Sequence, residues 1–573
     1  MIQKLLASFL LFSGLVFNCL AQDVVQTRPY PKDYFRYPLD LPPKIVGSFG
    51  ELRPNHFHSG LDFRTNQQEG YPVHAAADGF VSRLRVQFGG FGNAIYITHP
   101  NGYTTVYGHL KSFSPEIAKL VLDYQNQVKN DIVDFNLLPL QMPVSKGQVI
   151  AVSGSTGAVA GPHLHFEVRD TETEQTINPQ LFGLTIPDEK APILGTACIY
   201  HFTDAPFSEK TQRDLLPVVG SNGNYHLLKP HVIELSANVG FGITAYDITN
   251  TSMAHNGVYS IELKLDGKTV FTFAAERFAF DQTHAINAFI DYPQFLSAGR
   301  FIQKCFILPG SKITLYPQSI NRGVITFNDD SLHTVEYVVR DVAGTTSTLT
   351  LKVKSSSKVP HYAAWKPSGT LFKYNQLNQY STDKVKVSIP VGNLYDDVDF
   401  TFAELPRKPG AYSSTYQIDN RYTSINDSYD LWIKPDTTLP GWRGDKAVIV
   451  NGEGICYAGT YQDGYVKAQP HSFGEYYIKL DTEAPFIHPI NIVNGGNMAA
   501  KHAIFLKIGD YLSGVKSYMG YIDGKWVLMK WDYKTKVLSY TFDDSVTAGK
   551  HTFELTVTDQ MNNASTFKAD FYR

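Results

Sequence analysis

The sequence predicts a mainly β protein of several domains. Aromatic residues account for 13% of the chain, with 34 Tyr and 36 Phe, and aromatic side chains favour strands over helices. Short strand-like segments, such as residues 92–98 and 103–107, recur between turns rich in Gly, Asn and Asp. At 573 residues the chain is too long for one hydrophobic core, so we expect about three to five domains.

The overall composition is that of a folded, nearly neutral protein. Hydrophobic residues make up 43% and charged residues 18%, which excludes long disordered, collagen-like and coiled-coil structure. The 51 Lys and Arg residues nearly balance the 54 Asp and Glu residues, for a net charge of -3. Because binding through phosphates requires a basic surface, nucleic acid is not an expected partner.

Residues 1–21 predict a secretory signal peptide. Lys4 precedes an apolar stretch, and the small residues Cys19 and Ala21 precede a cut that would follow Ala21. The alternative is a lipoprotein cut before Cys19, although Asn18 stands where a small residue is expected. No later apolar run is long enough to cross a bilayer. We therefore expect an exported protein of the periplasm or cell envelope, without a transmembrane span in the mature chain.

Changes in composition divide the exported chain into five regions. A Pro- and Tyr-rich lead-in precedes a Gly-rich stretch of short strands, in which Ser114 and Pro115 mark the start of a helix near 114–125. The later regions are strand-rich and punctuated by turn residues. The predicted boundaries are 22–45 for the lead-in, 46–185 for the Gly-rich β domain with its inserted helix, 186–356 and 481–573 for two copies of a repeat, and 357–480 for a further β domain.

An internal repeat relates region 186–356 to region 481–573. Three markers return in the same order, and the first copy carries an insertion of about 39 residues before the last marker. Within each copy an Asp–Gly pair joins two alternating segments, which indicates a β-hairpin. Short antiparallel strands at this spacing predict immunoglobulin-like β-sandwiches. The markers are Asp188–Pro192 and Asp481–Pro485, Gly257–Val270 and Gly514–Val527, and His333–Asp341 and His551–Asp559.

Three cysteines follow the predicted signal peptide: Cys198, Cys305 and Cys456. An odd number leaves at least one thiol unpaired after export. Cys198 and Cys305 fall in one predicted domain, and the sequence leaves open whether they form a disulfide. The three residues are too dispersed for a cysteine-type zinc site.

Residues 161–169 read GPHLHFEVR and predict a strand with histidines on one face. Its apolar residues would point to a core, while His163, His165 and Glu167 would point the other way. Two imidazoles on one face suit zinc, with one metal ligand and one catalytic base as a common division. Glu167 is expected to be solvated or to support a ligand, in preference to a catalytic role.

A second histidine cluster lies between His56 and Asp62 and supplies the other ligands. On a straight strand His58 and Asp62 would lie ~13 Å apart, too far to share a metal, so a bend is expected at residues 59–60. With His165 they make a set of two imidazoles and one carboxylate. Three protein ligands leave zinc a fourth position for water, as catalytic sites require. His56 is the alternative to His58 as a ligand.

These residues and the segments between them resemble the M23 metallopeptidases, also called the lysostaphin or LytM family. The resemblance rests on HxxxD at His58 and Asp62, on YGHL at Tyr107–Leu110 and on GPHLHFE at Gly161–Glu167. The intervening segments Pro72–Gly79, Gly92–His99 and Lys146–Gly157 also agree with the family's pattern. The matching stretch covers about 50–185, roughly a quarter of the chain.

The resemblance implies a β-sheet-dominated zinc peptidase domain with the metal in a groove. It implies one Zn2+ per chain held by His58, Asp62 and His165. The implied catalytic pair is His109 and His163, which would take a proton from the metal-bound water and stabilise the charged intermediate; which histidine has which role stays open. The family cleaves peptide cross-links of bacterial peptidoglycan, so peptidoglycan is the expected substrate.

The chain departs from the family between YGHL and the next shared segment. This connection is longer than the family usually has, because it includes the predicted helix near 114–125. The insertion is therefore expected to border or cover the groove.

An alternative function is that of a non-catalytic envelope regulator, which binds or activates other cell-wall hydrolases. Some relatives of this fold have lost metal ligands and act in this way, whereas all five expected residues are present here. The later β domains are candidates for binding an envelope protein partner or peptidoglycan, or for positioning the catalytic domain, because their fold does not identify a ligand.

Overall fold

The structure, a computed structural model, describes residues 25–250, 252–358, 364–436, 439 and 441–573. The predicted signal peptide at 1–21 and the alternative cut before Cys19 lie outside the described residues. Strands dominate the described chain, which confirms the prediction of a mainly β fold. Its α-helices are α1 at Pro115–Val128, α2 at Ile286–Phe289 and α3 at Tyr292–Ala298. No helix in the described ranges is long and apolar enough to cross a membrane.

Residues 45–177 contain the strands that carry the predicted metal ligands. They are β1 Ile45–Gly47, β2 Leu52–Arg53, β3 His56–Phe57, β4 Leu61–Arg64, β5 Pro72–His74, β6 Gly79–Val86, β7 Ala94–Thr98, β8 Tyr103–Gly108, β9 Leu110–Phe113, β10 Val133–Asn136, β11 Pro143–Val144, β12 Val149–Ser153, β13 His163–Asp170 and β14 Thr176–Ile177. The main antiparallel sheet has the order β1-β4-β13-β8-β7-β6-β10, and β5, β12 and β9 form a separate three-stranded sheet. Strand β13 therefore lies inside the main sheet, between β4 and β8.

The first copy of the repeat follows, with all but one of its strands in a second large sheet. Its strands are β15 Ile193–His201, β16 Gln212–Ser221, β17 Asn224–Leu227, β18 Ile233–Tyr246, β19 Ser260–Leu265, β20 Lys268–Ala274, β21 Arg277–Phe278, β22 Gln303–Lys304, β23 Gln318–Ser319, β24 Ile325–Phe327, β25 Leu332–Arg340 and β26 Thr346–Ser356. Strand β21 pairs with β14 of the preceding region, and one continuous hydrophobic core runs through both regions. The metal-ligand region and the first repeat are thus packed as one body.

The remaining strands form two further groups, each with its own hydrophobic core. The first group is β27 Thr370–Phe372, β28 Asn378–Ser381, β29 Val385–Ile389, β30 Val398–Phe400, β31 Phe402–Leu405, β32 Thr415–Ile418, β33 Asp430–Ile433, β34 Ala447–Asn451, β35 Cys456–Ala458, β36 Thr460–Gln462, β37 Tyr465–Ala468 and β38 Gly474–Leu480. The second group is β39 Phe486–Pro489, β40 Gly496–Asn497, β41 Ala503–Gly509, β42 Val515–Ile522, β43 Lys525–Val527, β44 Lys530–Asp532, β45 Val537–Thr541, β46 Lys550–Asp559 and β47 Ala564–Tyr572.

The two copies of the repeat share the same hairpin. Asp266 and Gly267 connect β19 to β20, and Asp523 and Gly524 connect β42 to β43. All four residues have positive φ, between 48° and 78°, which is the conformation that a two-residue type I′ turn requires. The Asp–Gly signal in the sequence therefore corresponds to a real hairpin in each copy.

Helix α1 occurs where the sequence predicts it and extends three residues further, to Val128. Ser114 precedes the helix, Pro115 is its first residue, and Lys129 ends it in the left-handed conformation with φ 53°. Its buried face, which includes Ile117 and Val121, lies next to β9 and β10.

The lead-in and the cysteines both find defined places in the fold. Tyr30 and Phe35 of the lead-in are buried in the large core, and the Tyr30 hydroxyl donates to Glu276 in the first repeat (2.7 Å). Cys198, Cys305 and Cys456 are free thiols, so the disulfide that the sequence leaves open is not formed.

Candidate metal centre

The register of three neighbouring strands places two of the predicted ligands opposite each other. Strand β13 pairs with β4 on one side, where His165 faces Asp62, and with β8 on the other, where His165 faces Gly108. Because directly opposed residues of antiparallel strands have close Cβ atoms, this register alone brings the carboxylate to the imidazole.

His58 reaches the same point because the chain bends before β4. It follows β3 and precedes the segment 59–60, where the bend was predicted. A Cβ atom at Gly60 would lie 2.3 Å from the carbonyl oxygen of Phe166, so only glycine permits this close approach of the bend to β13.

Three potential ligand atoms converge at this point. His58 Nε2 lies 3.0 Å from Asp62 Oδ1 and 3.1 Å from His165 Nδ1, and His165 Nδ1 lies 2.9 Å from the same carboxylate oxygen. All three side chains are buried. The arrangement is a compact set of two nitrogens and one oxygen, the donor types that zinc prefers.

The other polar atom of each ligand is held by a neighbour. His58 Nδ1 donates to the backbone carbonyl of Ser48 (2.7 Å), and His165 Nε2 donates to Glu167 (3.0 Å). Arg53 donates to the second oxygen of Asp62 (2.6 Å). Both nitrogens of each ring therefore face an acceptor, whereas a neutral imidazole carries only one proton.

This shortage of protons provides a test of whether a metal fits. When the one proton of each ring lies on the nitrogen that faces Ser48 or Glu167, the lone pairs of His58 Nε2 and His165 Nδ1 point at an ionised carboxylate oxygen. Three acceptors within about 3 Å of one another repel unless a proton or a cation lies between them. The residues therefore fit a divalent metal, with two imidazoles and one carboxylate as ligands.

The pKa values of the three ligands agree with this view of the site. Burial lowers the pKa of His58 to about 4, which keeps its ring neutral. Burial alone would lower the pKa of His165 too, but its hydrogen bonds to Asp62 and Glu167 outweigh burial and raise the pKa to about 9. Burial would raise the pKa of Asp62, yet the surrounding histidines hold it well below the usual range. In the absence of a metal, a proton on His165 takes the place of the cation.

Glu167 is fully buried, so the expectation that it is solvated is wrong, and its alternative role of supporting a ligand has the contacts it requires. It accepts from His165, from the Ser59 hydroxyl and from Arg169 Nε (2.6 Å). Burial raises the pKa of this carboxyl, but the Arg169 charge and the His165 hydrogen bond bring it down to about 2. The carboxylate is therefore ionised and orients His165.

The two predicted catalytic histidines lie beside this set. His163 Nε2 is 3.4 Å from Asp62 Oδ1, and the rings of His109 and His163 have centroids 4.8 Å apart. His109 has a φ of 60°, in the left-handed region that is unusual for a histidine, and this turn between β8 and β9 points its ring at the centre. Burial lowers the pKa of His109 to about 3.

Both of these histidines are anchored through Nδ1 to backbone carbonyls. His109 donates to Thr156 and His163 donates to Gly161, each at 2.9 Å. Because Nδ1 carries the proton in each ring, Nε2 is left as an acceptor. The arrangement presents two proton acceptors next to three potential metal ligands.

The structure thus brings together all five residues singled out from the sequence and leaves two other histidines apart. His56 is exposed and its ring contacts the Pro54 carbonyl (3.1 Å), so it is not a ligand alternative to His58. His99 is buried between the Asp78 carbonyl and the Thr105 hydroxyl, as a structural residue would be.

The sequence did not predict the contacts of several residues that support the metal ligands. Arg53 was only noted as near a motif, and its ion pair with Asp62 depends on the long-range pairing of the strands. The ring of Phe91 stacks on His165 at 4.9 Å. Arg169, two positions after Glu167 on the same strand face, is the one partner that alternation along β13 could have indicated.

The second repeat holds a loop at the edge of the centre. Lys534 Nζ donates to the carbonyls of Ser155 (3.0 Å) and Val159 (2.9 Å), and the Tyr533 hydroxyl donates to Gly157 (3.4 Å). The same loop carries the Thr156 carbonyl that anchors His109. The C-terminal copy of the repeat is therefore part of the scaffold around the site.

Comparison with known families places a recognised domain at this centre. The model of peptidase family M23 matches residues 56–129 and 137–179, the stretch that carries all five site residues. The chain therefore contains an M23 peptidase domain, and the resemblance stated from the sequence is confirmed. A second model, described as a Zu5-like domain, matches residues 369–481.

Curated relatives share the same stretch. The DD-carboxypeptidase/endopeptidase Mpg of Neisseria meningitidis is 36% identical over 131 residues, which is 23% of this chain and 24% of that protein. The peptidoglycan DD-endopeptidase ShyA of Vibrio cholerae is 32% identical over 139 residues, 23% of this chain and 26% of that protein. The chain thus matches about a quarter of the length of these relatives.

Among solved structures, the catalytic domain of the prophage-encoded M23 protein EnpA from Enterococcus faecalis is similar at 22% sequence identity. The similarity covers 27% of this chain and 97% of that chain, with a TM-score of 0.19. A zinc-containing peptidase from Vibrio cholerae has 27% identity and a TM-score of 0.17, over 28% of this chain and 40% of that chain.

Proposed function

We propose that this protein is a zinc-dependent metalloendopeptidase that hydrolyses peptide cross-links of bacterial peptidoglycan. The observation that carries the proposal is the convergence of three acceptor atoms beside two histidines whose Nε2 atoms are free of a proton. Relatives of the matched stretch are named as peptidoglycan endopeptidases, which supports this substrate.

One zinc ion per chain would be held by His58 Nε2, Asp62 Oδ1 and His165 Nδ1. When bound there, zinc supplies Lewis-acid chemistry: it lowers the pKa of a coordinated water and polarises the scissile carbonyl. Ser48, Glu167 and Arg53 keep the three ligands in place, so little reorganisation is needed on metal binding.

His109 and His163 would perform the proton transfers. Each ring is oriented by its Nδ1 hydrogen bond to a carbonyl, so Nε2 is the atom that accepts or returns a proton. One of the two would take the proton of the attacking water at Nε2 and pass it to the amine that leaves. The other would stabilise the oxyanion that develops on the peptide, by donating from Nε2 a proton that it has taken up from solvent.

The remaining parts of the chain have proposed roles outside the chemistry. The segment 1–21 would direct export to the periplasm or cell envelope, where peptidoglycan lies. The second repeat would hold the loop that orients His109, through Lys534 and Tyr533. The β domains would also bind an envelope protein partner.

The test is digestion of purified peptidoglycan by the full chain without residues 1–21, with the released muropeptides identified by mass spectrometry. Loss of cross-linked species that is abolished by a chelator and restored by zinc is the expected result. No cleavage by a chain that binds one equivalent of zinc would contradict the proposal. That outcome would favour the alternative of a non-catalytic regulator.

A further inference from the structure

Each copy of the repeat brings three aspartates together. In the first copy Asp188, Asp247 and Asp341 have carboxylate oxygens that all lie within 4.8 Å of one another. Asp188 precedes β15, Asp247 follows β18 directly, and Asp341 follows β25 directly. Three loops that are far apart in sequence therefore deliver one carboxylate each to the same point.

The second copy repeats this arrangement at the corresponding positions. Asp481, Asp510 and Asp559 meet the same distance criterion. Asp481 precedes β39, Asp510 follows β41, and Asp559 is the last residue of β46. Asp188 and Asp481 both open the shared DxxAP marker.

Two buried oxygens in the first copy have no hydrogen-bond donor. Asp247 is 6% exposed and Asn256 is 2% exposed, and neither Asp247 Oδ1 nor Asn256 Oδ1 has a partner among the described residues. The backbones of these two residues pair with each other, and both side chains line one cavity of about 30 Å³ together with Asp188 and Asp341. A buried oxygen without a donor is costly, and a cation bound in the cavity would give both oxygens a partner.

The charges around the cavity also favour a bound cation. Burial and the neighbouring carboxylates raise the pKa of Asp247 to about 8, and burial raises the pKa of Asp341 to about 6. Lys190 is the nearby basic residue, but its Nζ donates to the Thr249 carbonyl (3.3 Å). Three carboxylates this close are not all ionised at neutral pH without a positive charge between them.

We propose that the cavity formed by Asp188, Asp247, Asn256 and Asp341 binds a calcium ion. All the candidate donors are oxygens, from carboxylates and one amide, and they sit on loops; hard oxygen ligands with adaptable geometry suit Ca2+ better than zinc or a transition metal. A cavity of about 30 Å³ admits one ion or water.

The proposed ion would lie where the repeat meets the peptidase domain. Ser48 and Asn178 of that domain also line the cavity. The Ser48 hydroxyl accepts from the Gly257 amide (2.9 Å), next to Asn256, and the Ser48 carbonyl holds His58. Calcium would therefore stabilise the junction between the two domains, independently of whether the protein cleaves peptidoglycan.

The test uses the full chain without residues 1–21, stripped of metal on a chelating resin and given back one equivalent of zinc. Calcium is then titrated by calorimetry up to about 10 mM, roughly ten times the weakest Kd typical of extracellular calcium modules, and the melting temperature is recorded. The variants are Asp247→Asn for the proposed site and Asp510→Asn for the second copy. Glu189→Gln, which makes the same charge change at an exposed neighbour of Asp188, is the control.

The proposal expects calcium binding and a higher melting temperature for the parent chain, Glu189→Gln and Asp510→Asn. Asp247→Asn loses one bound calcium per chain. In calcium-free buffer Asp247→Asn should melt at or above the parent chain, because asparagine is neutral without the proton that Asp247 must take up beside two other carboxyls. No calcium binding by the parent chain, or unchanged stoichiometry in Asp247→Asn, would overturn the proposal. An Asp247→Asn chain that melts far lower without calcium would also overturn it, since the aspartate would then be a structural hydrogen-bonding residue.

Discussion

Histidine and aspartate pair in two regions of this molecule, with opposite consequences for the histidine. In the metal centre, His58 lies 3.0 Å from Asp62 and both are buried, and the pKa of His58 falls to about 4. At the hairpin of the second repeat, His551 lies 2.7 Å from Asp523, whose side chain is 47% exposed, and the pKa of His551 is raised. His333 and Asp266 repeat the hairpin pair in the first copy (2.6 Å).

The difference shows that the surroundings, more than the partner, decide what a histidine does. Burial penalises the charged ring at the centre, so His58 is neutral and offers a lone pair. At the hairpin, the hydrogen bond to Asp523 outweighs the burial of the His551 ring and raises its pKa, so the charged ring is favoured. His165 is the intermediate case. It is completely buried, like His58, but its contacts with two carboxylates outweigh burial and raise its pKa to about 9.

The largest expected effect comes from removing a ligand in the buried region. His165→Ala should abolish stoichiometric zinc binding and peptidoglycan cleavage, because only two ligands remain. Zinc content by elemental analysis and muropeptide release are the measurements. His56→Ala is the matched control, since His56 belongs to the same sequence cluster but is exposed, and it should keep both. Full zinc binding in His165→Ala would show that His58, Asp62 and His165 do not form the metal site.

The next effect separates proton transfer from metal binding. His109→Asn and His163→Asn keep a side-chain amide near the Nδ1 position but lose Nε2. Each should lower kcat by about 10²- to 10⁴-fold, as expected for a lost general acid or base, while zinc content stays at one equivalent. Steady-state cleavage of a cross-linked muropeptide, together with metal analysis, checks this. Loss of zinc in either variant would make that histidine a ligand instead.

A smaller effect is expected from the residue that orients His165. Glu167→Gln keeps the shape of the side chain but removes the charge that faces His165 and Arg169. Removing such a supporting partner typically costs about 10- to 100-fold in metal affinity, so zinc should bind more weakly by that factor. Competition with a chromophoric chelator measures it. Glu172→Gln, at an exposed site, serves as the control, and equal affinities in both variants would contradict the role of Glu167.

The smallest effect is expected from the pair of His551 and Asp523 at the hairpin of the second repeat. The pKa of His551 is raised in the folded state, by its hydrogen bond to Asp523 first, so its stabilisation is fully present below the unfolded pKa of about 6.5 and is lost as pH rises through the folded value. His551→Gln should therefore cost about 0.2–1 kcal/mol more near pH 5.5 than near pH 9.

Calorimetric melting of the full chain at these two pH values measures the difference. His226→Gln, an exposed histidine, should show no pH-dependent cost. An equal cost of His551→Gln at both pH values would mean that the ring contributes packing against Phe571 instead of charge.

Much of the candidate site was predictable because its residues are spaced within single strands and turns. The alternation in residues 163–169 places His163 and His165 on one face, and the distance argument requires a bend before Asp62, which Gly60 permits. The helix near 114–125 was predictable from Ser114 and Pro115, whereas its last three residues carry no stop signal in the sequence.

The hairpin ion pairs were beyond sequence reasoning. His333 and His551 have no partner pattern along the chain, because each meets an aspartate that is 67 or 28 positions away across a strand pair. The same holds for Arg53 and Asp62, which depend on how the segment before β4 folds back onto it.

The sequence by itself determined the mainly β fold and the M23 stretch, and it predicted the duplicated repeat and the five residues of the centre, since these depend on local periodicity and on short motifs. Only the tertiary structure decided which nitrogen of each histidine is free, that Glu167 is buried, and that six aspartates meet as two clusters of three. The reason is physical: tautomer, charge state and ligand geometry depend on burial and on partners from distant segments, and those exist only once the strands have paired.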